Sequence, residues 1–179
     1  MVKLRYPVKD FFVPQTQGAY YGFRVHPITG EYSFHNGVDI SVPCNTPIHA
    51  QADGTISDIY YNDKGGLQLK ITYKNGFTSG FAHLNSTNSG IGQKVYEGEI
   101  IAYSGGDPQN PNAGRSTGCH IHYTLRKNGS LIDPLSVDYK PFKGNTVLAS
   151  FPFIPFKSPI TSVIVIASGL LLAFLSRKK

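Results

Sequence analysis

Two short histidine patterns and one further histidine have the residue types of a metal-dependent site. A histidine and an aspartate stand four positions apart at His35 and Asp39, His120 and His122 flank one isoleucine, and His83 lies in an apolar segment. Residues two apart on a strand point to the same side, so His120 and His122 would face one site. Imidazole and carboxylate suit a borderline divalent ion such as Zn²⁺, and three protein ligands with an open fourth position are typical of a catalytic site. Any one of these histidines alone is better explained as a packed or surface residue, whereas the combination favours a metal.

Short strands must position these side chains, because the chain from Tyr20 to Leu135 alternates apolar runs with turn signals. Asn-Gly turns near residues 74–77 and 127–129 are typical of hairpins. A third Asn-Gly pair predicts a turn between His35 and a strand at 38–41, and no long apolar stripe of helical period precedes the C-terminal tail. The sequence therefore predicts a mainly β, antiparallel and sandwich-like domain. Further strands are predicted at residues 48–50, 55–59, 67–73, 100–103 and 120–125.

Composition excludes several classes of protein. The chain has 179 residues, of which 40% are hydrophobic and 16% are charged, which is too apolar for a disordered chain. The net charge is +6, but three of the positive charges are the last three residues, so no nucleic-acid-binding patch is predicted. The two cysteines, Cys44 and Cys119, are too few for a disulfide scaffold or a multi-cysteine zinc finger. One bridge or two free thiols are both compatible with the sequence.

The C-terminal run from Ser158 to Ser176 contains no charged residue and consists mostly of Val, Ile, Leu and Ala. At about 1.5 Å per residue a helix of this length reaches just under the ~30 Å of the bilayer hydrocarbon core. The basic residues 177–179 would then lie among the phosphate headgroups. A buried core helix is the alternative, but such a helix normally has a polar face. We expect a single-pass transmembrane helix at residues 159–176.

The N-terminal end, Met1 to Asp10, has charges but no apolar stretch, so no signal peptide is predicted. A basic tail favours a cytoplasmic C-terminus, with the N-terminal domain on the far side of the membrane. Export of that domain would then be unconventional, or the membrane would be one that ordinary secretion does not reach. An internal membrane of a phage virion is one such setting, and a bacterial envelope is another.

Several motifs in fixed order are similar to the M23 family of zinc metallopeptidases, the lysostaphin-type or LytM-type peptidoglycan endopeptidases. The resemblance covers about two thirds of the chain, and its combined motifs are far more specific than the His-x-x-x-Asp or His-x-His pattern alone. The matching segments are residues 21–30, 35–40, 46–50, 52–56, 81–84, 98–102, 116–122 and 133–134.

The resemblance implies roles for the five candidate residues. His35, Asp39 and His122 match the zinc ligands of the family, with one Zn²⁺ per chain. His83 and His120 match the two histidines beside the water that the metal activates, and the resemblance does not assign the separate role of each. The implied substrate is a short peptide of bacterial peptidoglycan, and the implied fold is a mainly antiparallel β structure with a substrate groove.

The chain departs from the family pattern at a few positions. Phe81 stands where the family often has tyrosine, and Cys44 stands where glycine is common. The loop at residues 106–115 is longer than usual and is expected to line the substrate groove. Cys119 directly precedes His120, and strand alternation would point its side chain away from the histidines, so we interpret it as a core residue.

The predicted organisation has five parts: an N-terminal extension at residues 1–19, a peptidase domain at 20–140, a Pro/Phe-rich linker at 141–158, the transmembrane helix at 159–176 and a basic tail at 177–179. The predicted function is that of a membrane-anchored zinc endopeptidase acting on peptidoglycan, with phage cell-wall penetration or lysis as one setting. A catalytically inactive binding module of the same fold is the first alternative. A lipoyl- or biotinyl-type carrier is the second, but it leaves the five site positions unexplained.

Overall fold

The computed structural model describes residues 3–16, 18–26 and 29–142. Within these residues the secondary structure is almost entirely β, and the only helices are short 3-10 turns at Pro111–Ala113 and Pro134–Ser136. The strands are β1 (Gly22–Val25), β2 (Tyr32–His35), β3 (Val38–Ser41), β4 (Pro47–His49), β5 (Gly54–Asn62), β6 (Gly66–Tyr73), β7 (Phe77–Thr87), β8 (Lys94–Val95), β9 (Ile100–Ser104), β10 (His120–Lys127) and β11 (Ser130–Ile132).

Nine of these strands form one branched sheet, and β1 and β2 form a separate two-stranded ribbon. The central order is β11-β10-β7-β6-β5-β8, and all strand pairs in it are antiparallel. One edge of β10 pairs with β3 along its first half and with β11 along its last residues, while its other edge pairs with β7. The last residues of β7 pair with β9, which in turn pairs with β4. The prediction of a mainly antiparallel β domain is therefore confirmed.

The burial pattern of strand β10 confirms the prediction that His120 and His122 lie on the same face. Its burial alternates, with Ile121, Tyr123 and Leu125 buried in the core and His120 and His122 on the opposite, partly exposed face. This alternation is the period of two that a pleated strand imposes. The predicted strands at 48–50, 55–59, 67–73 and 100–103 correspond to β4, β5, β6 and β9, and the Asn-Gly turns connect β6 to β7 and β10 to β11.

The N-terminal segment packs onto the sheet over its described residues. Leu4 and Val8 are fully buried in the hydrophobic core. The backbone N–H of Arg5 donates to the carbonyl of Gln51 over 2.8 Å, and the carbonyl of Pro7 accepts from a residue of β4 over 2.8 Å. Because its apolar side chains pack into the core and its backbone forms hydrogen bonds with the rest of the domain, this segment is part of the folded unit.

The cysteines form a disulfide bridge between Cys44 and Cys119. The interpretation of Cys119 as a core residue is wrong, since its side chain is bridged and the residue is exposed. The physical reason is that β10 begins at His120, so the strand alternation used to orient Cys119 does not extend to it. The bridge ties the residue just before β10 to the loop that precedes β4.

The predicted linker beyond residue 142, the transmembrane helix at 159–176 and the basic tail at 177–179 lie outside the described residues. Within the part of the chain that the structure describes, no helix has the length and apolarity to cross a membrane.

The disulfide is expected to stabilise the fold mainly by restricting the unfolded chain. It joins residues 75 positions apart, and closing a loop of that size contributes about 2–4 kcal/mol. The double variant Cys44→Ser/Cys119→Ser should therefore lose about 2–4 kcal/mol of unfolding free energy in urea titrations. Reductant should lower the stability of the wild type to a similar extent and leave the double variant unchanged. Equal stability with and without reductant would contradict this account.

Buried tyrosines predict a loss of stability at alkaline pH. Burial raises the pKa of Tyr73, Tyr123 and Tyr139 in the folded protein, whereas in the unfolded chain these phenols ionise near a pKa of about 10. A raised folded-state pKa means that the stability is fully present below about pH 10 and falls above it, by about 1.4 kcal/mol per pH unit for each group. In urea titrations at pH 8 and pH 11, the stability advantage of the wild type over Tyr73→Phe should shrink or reverse at the higher pH. If the stability advantage of the wild type over Tyr73→Phe instead grew between pH 8 and pH 11, the raised pKa of Tyr73 in the folded protein would be contradicted.

Candidate metal centre and active site

Three donor atoms from separate strands converge at one point. His35 Nε2 lies 3.0 Å from His122 Nδ1, His122 Nδ1 lies 2.9 Å from Asp39 Oδ1, and His35 Nε2 lies 3.4 Å from Asp39 Oδ1. Ligand atoms at 2.0–2.2 Å from a tetrahedral ion lie about 3.3–3.6 Å apart, so this triangle is within a few tenths of an ångström of such a site. Among the described residues, these three side chains form the His/Cys/Asp/Glu group that can hold a metal ion.

The register of β3 against β10 sets this geometry. It places Asp39 directly opposite His122 on adjacent antiparallel strands, where opposed Cβ atoms lie about 4.5–5.5 Å apart. His35 reaches the same point because β2 ends there and the chain turns back at Gly37 into β3. A Cβ on Gly37 would collide with the backbone carbonyl of Tyr123, so glycine is what allows the turn to approach β10 this closely.

In His35 and His122, one ring nitrogen belongs to the donor triangle and the other, the outer nitrogen, lies next to an acceptor oxygen. His35 Nδ1 lies 2.8 Å from the backbone carbonyl of Tyr20, and His122 Nε2 lies 2.9 Å from Asn36 Oδ1. A carbonyl oxygen only accepts, so each outer nitrogen carries the proton and donates it. In the neutral rings the inner nitrogens then keep their lone pairs, which is how metal-ligating histidines are oriented in proteins.

The electrostatics of this group fit a cation. Burial acts to raise the pKa of Asp39, but hydrogen bonding and charge interactions with His122 and His35 outweigh it and hold the pKa well below its usual range. Burial lowers the pKa of His122, which favours its neutral form. An ionised carboxylate and two imidazole lone pairs thus face one another, and a divalent ion would satisfy all three.

His83 and His120 form a second pair beside the donor triangle. Their ring centroids lie 4.6 Å apart, and the ring of His83 lies 6.4 Å from that of His122. Nδ1 of His83 donates to the carbonyl of Ala113 over 2.7 Å, and Nδ1 of His120 donates to the carbonyl of Gly118 over 2.8 Å. With Nδ1 donating to a carbonyl, Nε2 is the nitrogen of each ring that is left to accept a proton.

His83 is held in an unusual conformation in a buried place. Its φ is 58°, in the left-handed region, where a non-glycine residue costs about 1–3 kcal/mol and often belongs to a functional site. Its backbone N–H donates to the carbonyl of Gly65 over 2.7 Å. Burial lowers the pKa of the His83 ring to about 4, so the ring is neutral at pH 7.

The structure brings all five candidate residues of the sequence together, three in the donor triangle and two beside it. The sequence did not identify the groups that orient them. Asn36 was interpreted only as a turn residue, although its side chain also fixes the tautomer of His122. The loop at 106–115 is predicted to line the substrate groove, but none of its residues lines the cleft beside His122. The loop contributes to the site through the carbonyl of Ala113, which anchors His83. A backbone carbonyl has no signature in a sequence.

A cleft of about 220 Å³ opens beside the donor triangle, on the same face of the sheet as His122. Its floor comes from β6, β7 and β10, and small residues such as Gly80 and Ala82 keep it open. Polar and basic side chains line it on both sides, among them Gln68, Lys70 and Arg126. The cleft lies next to the candidate metal centre, because His122 belongs to both.

Comparison with known families gives one domain match. The sequence profile of Peptidase family M23 matches residues 33–134 of this chain. The matched segment contains the donor triangle, the second histidine pair and the strands that carry them.

Curated relatives share this segment. The chain is 38% identical over 119 residues to the DD-carboxypeptidase/endopeptidase Mpg of Neisseria meningitidis, covering 65% of this chain and 26% of that protein. It is 33% identical over 131 residues to the peptidoglycan DD-endopeptidase ShyC of Vibrio cholerae, covering 73% of this chain and 29% of that protein. The chain thus spans between a quarter and a third of the length of these relatives.

Solved structures agree with the fold. A zinc-containing peptidase from Vibrio cholerae superposes with a TM-score of 0.64 at 25% identity, covering 78% of this chain and 41% of that one. The catalytic domain of the antimicrobial peptidase lysostaphin from Staphylococcus simulans gives a TM-score of 0.55 at 25% identity, covering 70% of this chain and 90% of that domain.

Replacement of one of the three donor residues should abolish metal binding. His122→Ala leaves two donors, so we expect the affinity for Zn²⁺ in calorimetric titrations to fall by at least about 100-fold. The matched control is His49→Ala, because His49 lies on β4 with its Nδ1 anchored to the carbonyl of Gly98, and it should bind as the wild type does. Unchanged affinity in His122→Ala would place the metal elsewhere.

Proposed function

Because the chain belongs to peptidase family M23, we propose that it is a zinc-dependent endopeptidase that hydrolyses peptide bonds in bacterial peptidoglycan. The observation that carries the proposal is the convergence of His35 Nε2, Asp39 Oδ1 and His122 Nδ1 within 3.4 Å of one another, next to two anchored histidines. Two imidazoles and one carboxylate match the protein donor set of hydrolytic zinc sites.

The residues present fit zinc in type and in geometry. His35, Asp39 and His122 would hold the ion, and the contacts from Tyr20 and Asn36 keep the two rings in the required tautomers. When bound, Zn²⁺ acts as a Lewis acid that lowers the pKa of a water ligand to about 7 and polarises the scissile carbonyl.

His83 and His120 would perform the proton transfers. Each neutral ring has its Nδ1–H anchored to a backbone carbonyl, so Nε2 is the atom that accepts a proton from the attacking water. The ring that becomes protonated then donates this proton to the nitrogen of the leaving amine. The other ring, 4.6 Å away between centroids, helps to orient the water and the scissile carbonyl.

The substrate class is supported by the relatives rather than by a bound ligand. Two proteins named peptidoglycan DD-endopeptidases align with this chain over 131 and 115 residues, which is 73% and 64% of its length. The cleft beside His122 is where a peptide substrate of this kind would lie.

Membrane anchoring through residues 159–176, followed by the basic residues 177–179, stays part of the proposal on the strength of the sequence alone. The setting of a phage virion membrane likewise stays a prediction.

The proposed chemistry separates metal binding from proton transfer. His83→Ala should keep the Zn²⁺ affinity of the wild type and lose about 10²- to 10⁴-fold in turnover, because general acid–base catalysis typically contributes that much. The measurement is the release of muropeptides from purified peptidoglycan, followed by mass spectrometry, together with calorimetric Zn²⁺ titration.

The controls address the alternative of an inactive binding module. A chelator should stop wild-type cleavage and added Zn²⁺ should restore it, whereas His49→Ala should cleave normally. Near-normal cleavage by His83→Ala would remove the proposed role of this residue. No cleavage by the zinc-loaded wild type of peptidoglycan from several bacteria would favour the inactive module.

A further inference from the structure

The cleft beside the metal centre follows strand β10 away from the donor triangle. Residues His122, Thr124 and Arg126 alternate with the buried core residues of this strand, so they share its open face. At about 3.3 Å per residue, the Cα atom of Arg126 lies about 13 Å along the strand from that of His122. A peptide extended along β10 from the metal centre would therefore pass Arg126 about four residues from the scissile bond.

A row of three residues crosses the floor of the cleft from β10 to β6. Gly80 lies between Thr124 on β10 and Lys70 on β6 in this row. A Cβ on Gly80 would lie 2.5 Å from Thr124 Oγ1, so glycine at this position leaves room for the Thr124 side chain, whose hydroxyl donates to the Gly80 carbonyl over 3.4 Å. Lys70 and Arg126 both line the cleft, Lys70 from β6 and Arg126 from β10.

The charge of the cleft is positive. Lys70 and Arg126 line it, and none of the described residues that line it carries a carboxylate. Lys70 Nζ lies 3.3 Å from Asp58 Oδ2, but both side chains are more than 40% exposed, so this ion pair is weak and open to exchange. Arg126 Nη1 donates to the carbonyl of Gly129 over 3.0 Å, which uses one of the five N–H groups of the guanidinium and leaves others for a ligand.

We propose that Arg126, assisted by Lys70, binds a free carboxylate of the peptide substrate, about four residues from the scissile bond and on one side of it only. The inference rests on the proposed function, since it names the substrate feature that this site selects. A guanidinium pairs with a carboxylate through two parallel N–H···O bonds, whereas a neutral carboxamide cannot accept both with the same strength. The enzyme therefore prefers stem peptides with a free carboxylate over amidated ones.

The test uses two synthetic stem peptides that differ only in one group, a carboxylate or a carboxamide, at the residue that faces Arg126. Zinc-loaded wild type should cleave the carboxylate peptide with a KM about fivefold to tenfold lower and a similar kcat. Arg126→Gln should raise KM for the carboxylate peptide to that of the carboxamide peptide, and Lys70→Gln should give a smaller change in the same direction. Raised salt should reduce the preference of the wild type.

The matched control is Lys74→Gln, which removes one positive charge from an exposed turn outside the cleft. It should keep the wild-type preference. Calorimetric binding of both peptides to chelator-treated wild type gives a readout independent of turnover, and the carboxylate peptide should bind about fivefold to tenfold more tightly.

The outcomes separate the two proposals. Cleavage of both peptides with equal KM, together with equal binding, would overturn the carboxylate site and leave the proposed peptidase activity intact. The absence of cleavage of either peptide would overturn the proposed activity, and the binding comparison would then decide the carboxylate site by itself. A preference that survives in Arg126→Gln but is lost in Lys74→Gln would place the recognition outside the cleft.

Discussion

The antiparallel pairing of β3 with β10 is the constraint on which the candidate metal centre depends. In this register Asp39 lies opposite His122, and the flanking pair Ile40 and Ile121 is fully buried on the other face. A slip by one residue would turn the isoleucines toward solvent and the carboxylate and imidazole toward the core. The burial of apolar side chains therefore enforces the alignment of two metal donors, although none of those apolar groups touches the site.

The groups that orient the site come from loops, while the groups that would act on a substrate come from strands or their ends. Tyr20 and Ala113 contribute backbone carbonyls from two separate loops, and each fixes the tautomer of one histidine ring. The disulfide bridge ends at Cys119, one residue before His120 and one after Gly118, the residue whose carbonyl anchors the His120 ring. Loop structure and site geometry are thus coupled, because a loop that moved would release the ring it holds.

The open face of the sheet combines two sources of positive potential. A divalent ion in the donor triangle would more than balance the charge of Asp39, and Arg126 and Lys70 extend the positive region along the cleft. Membership of peptidase family M23 accounts for the metal centre and the histidine pair. The charge along the cleft comes from the side chains of Arg126 and Lys70.

The sequence by itself determined the mainly β fold, the same-face placement of His120 and His122, and the five candidate residues. It could do so because strand alternation and Asn-Gly turns are local, and because the family motifs keep their order along the chain. Only the tertiary structure decided which nitrogen of each histidine faces the site. The orientation of each ring depends on a hydrogen-bond acceptor that can be far away in the sequence, as Asn36 is from His122. The pairing of Cys44 with Cys119 and the packing of Leu4 into the core were decided in the same way. These features depend on distances between residues far apart in the chain, which no local pattern encodes.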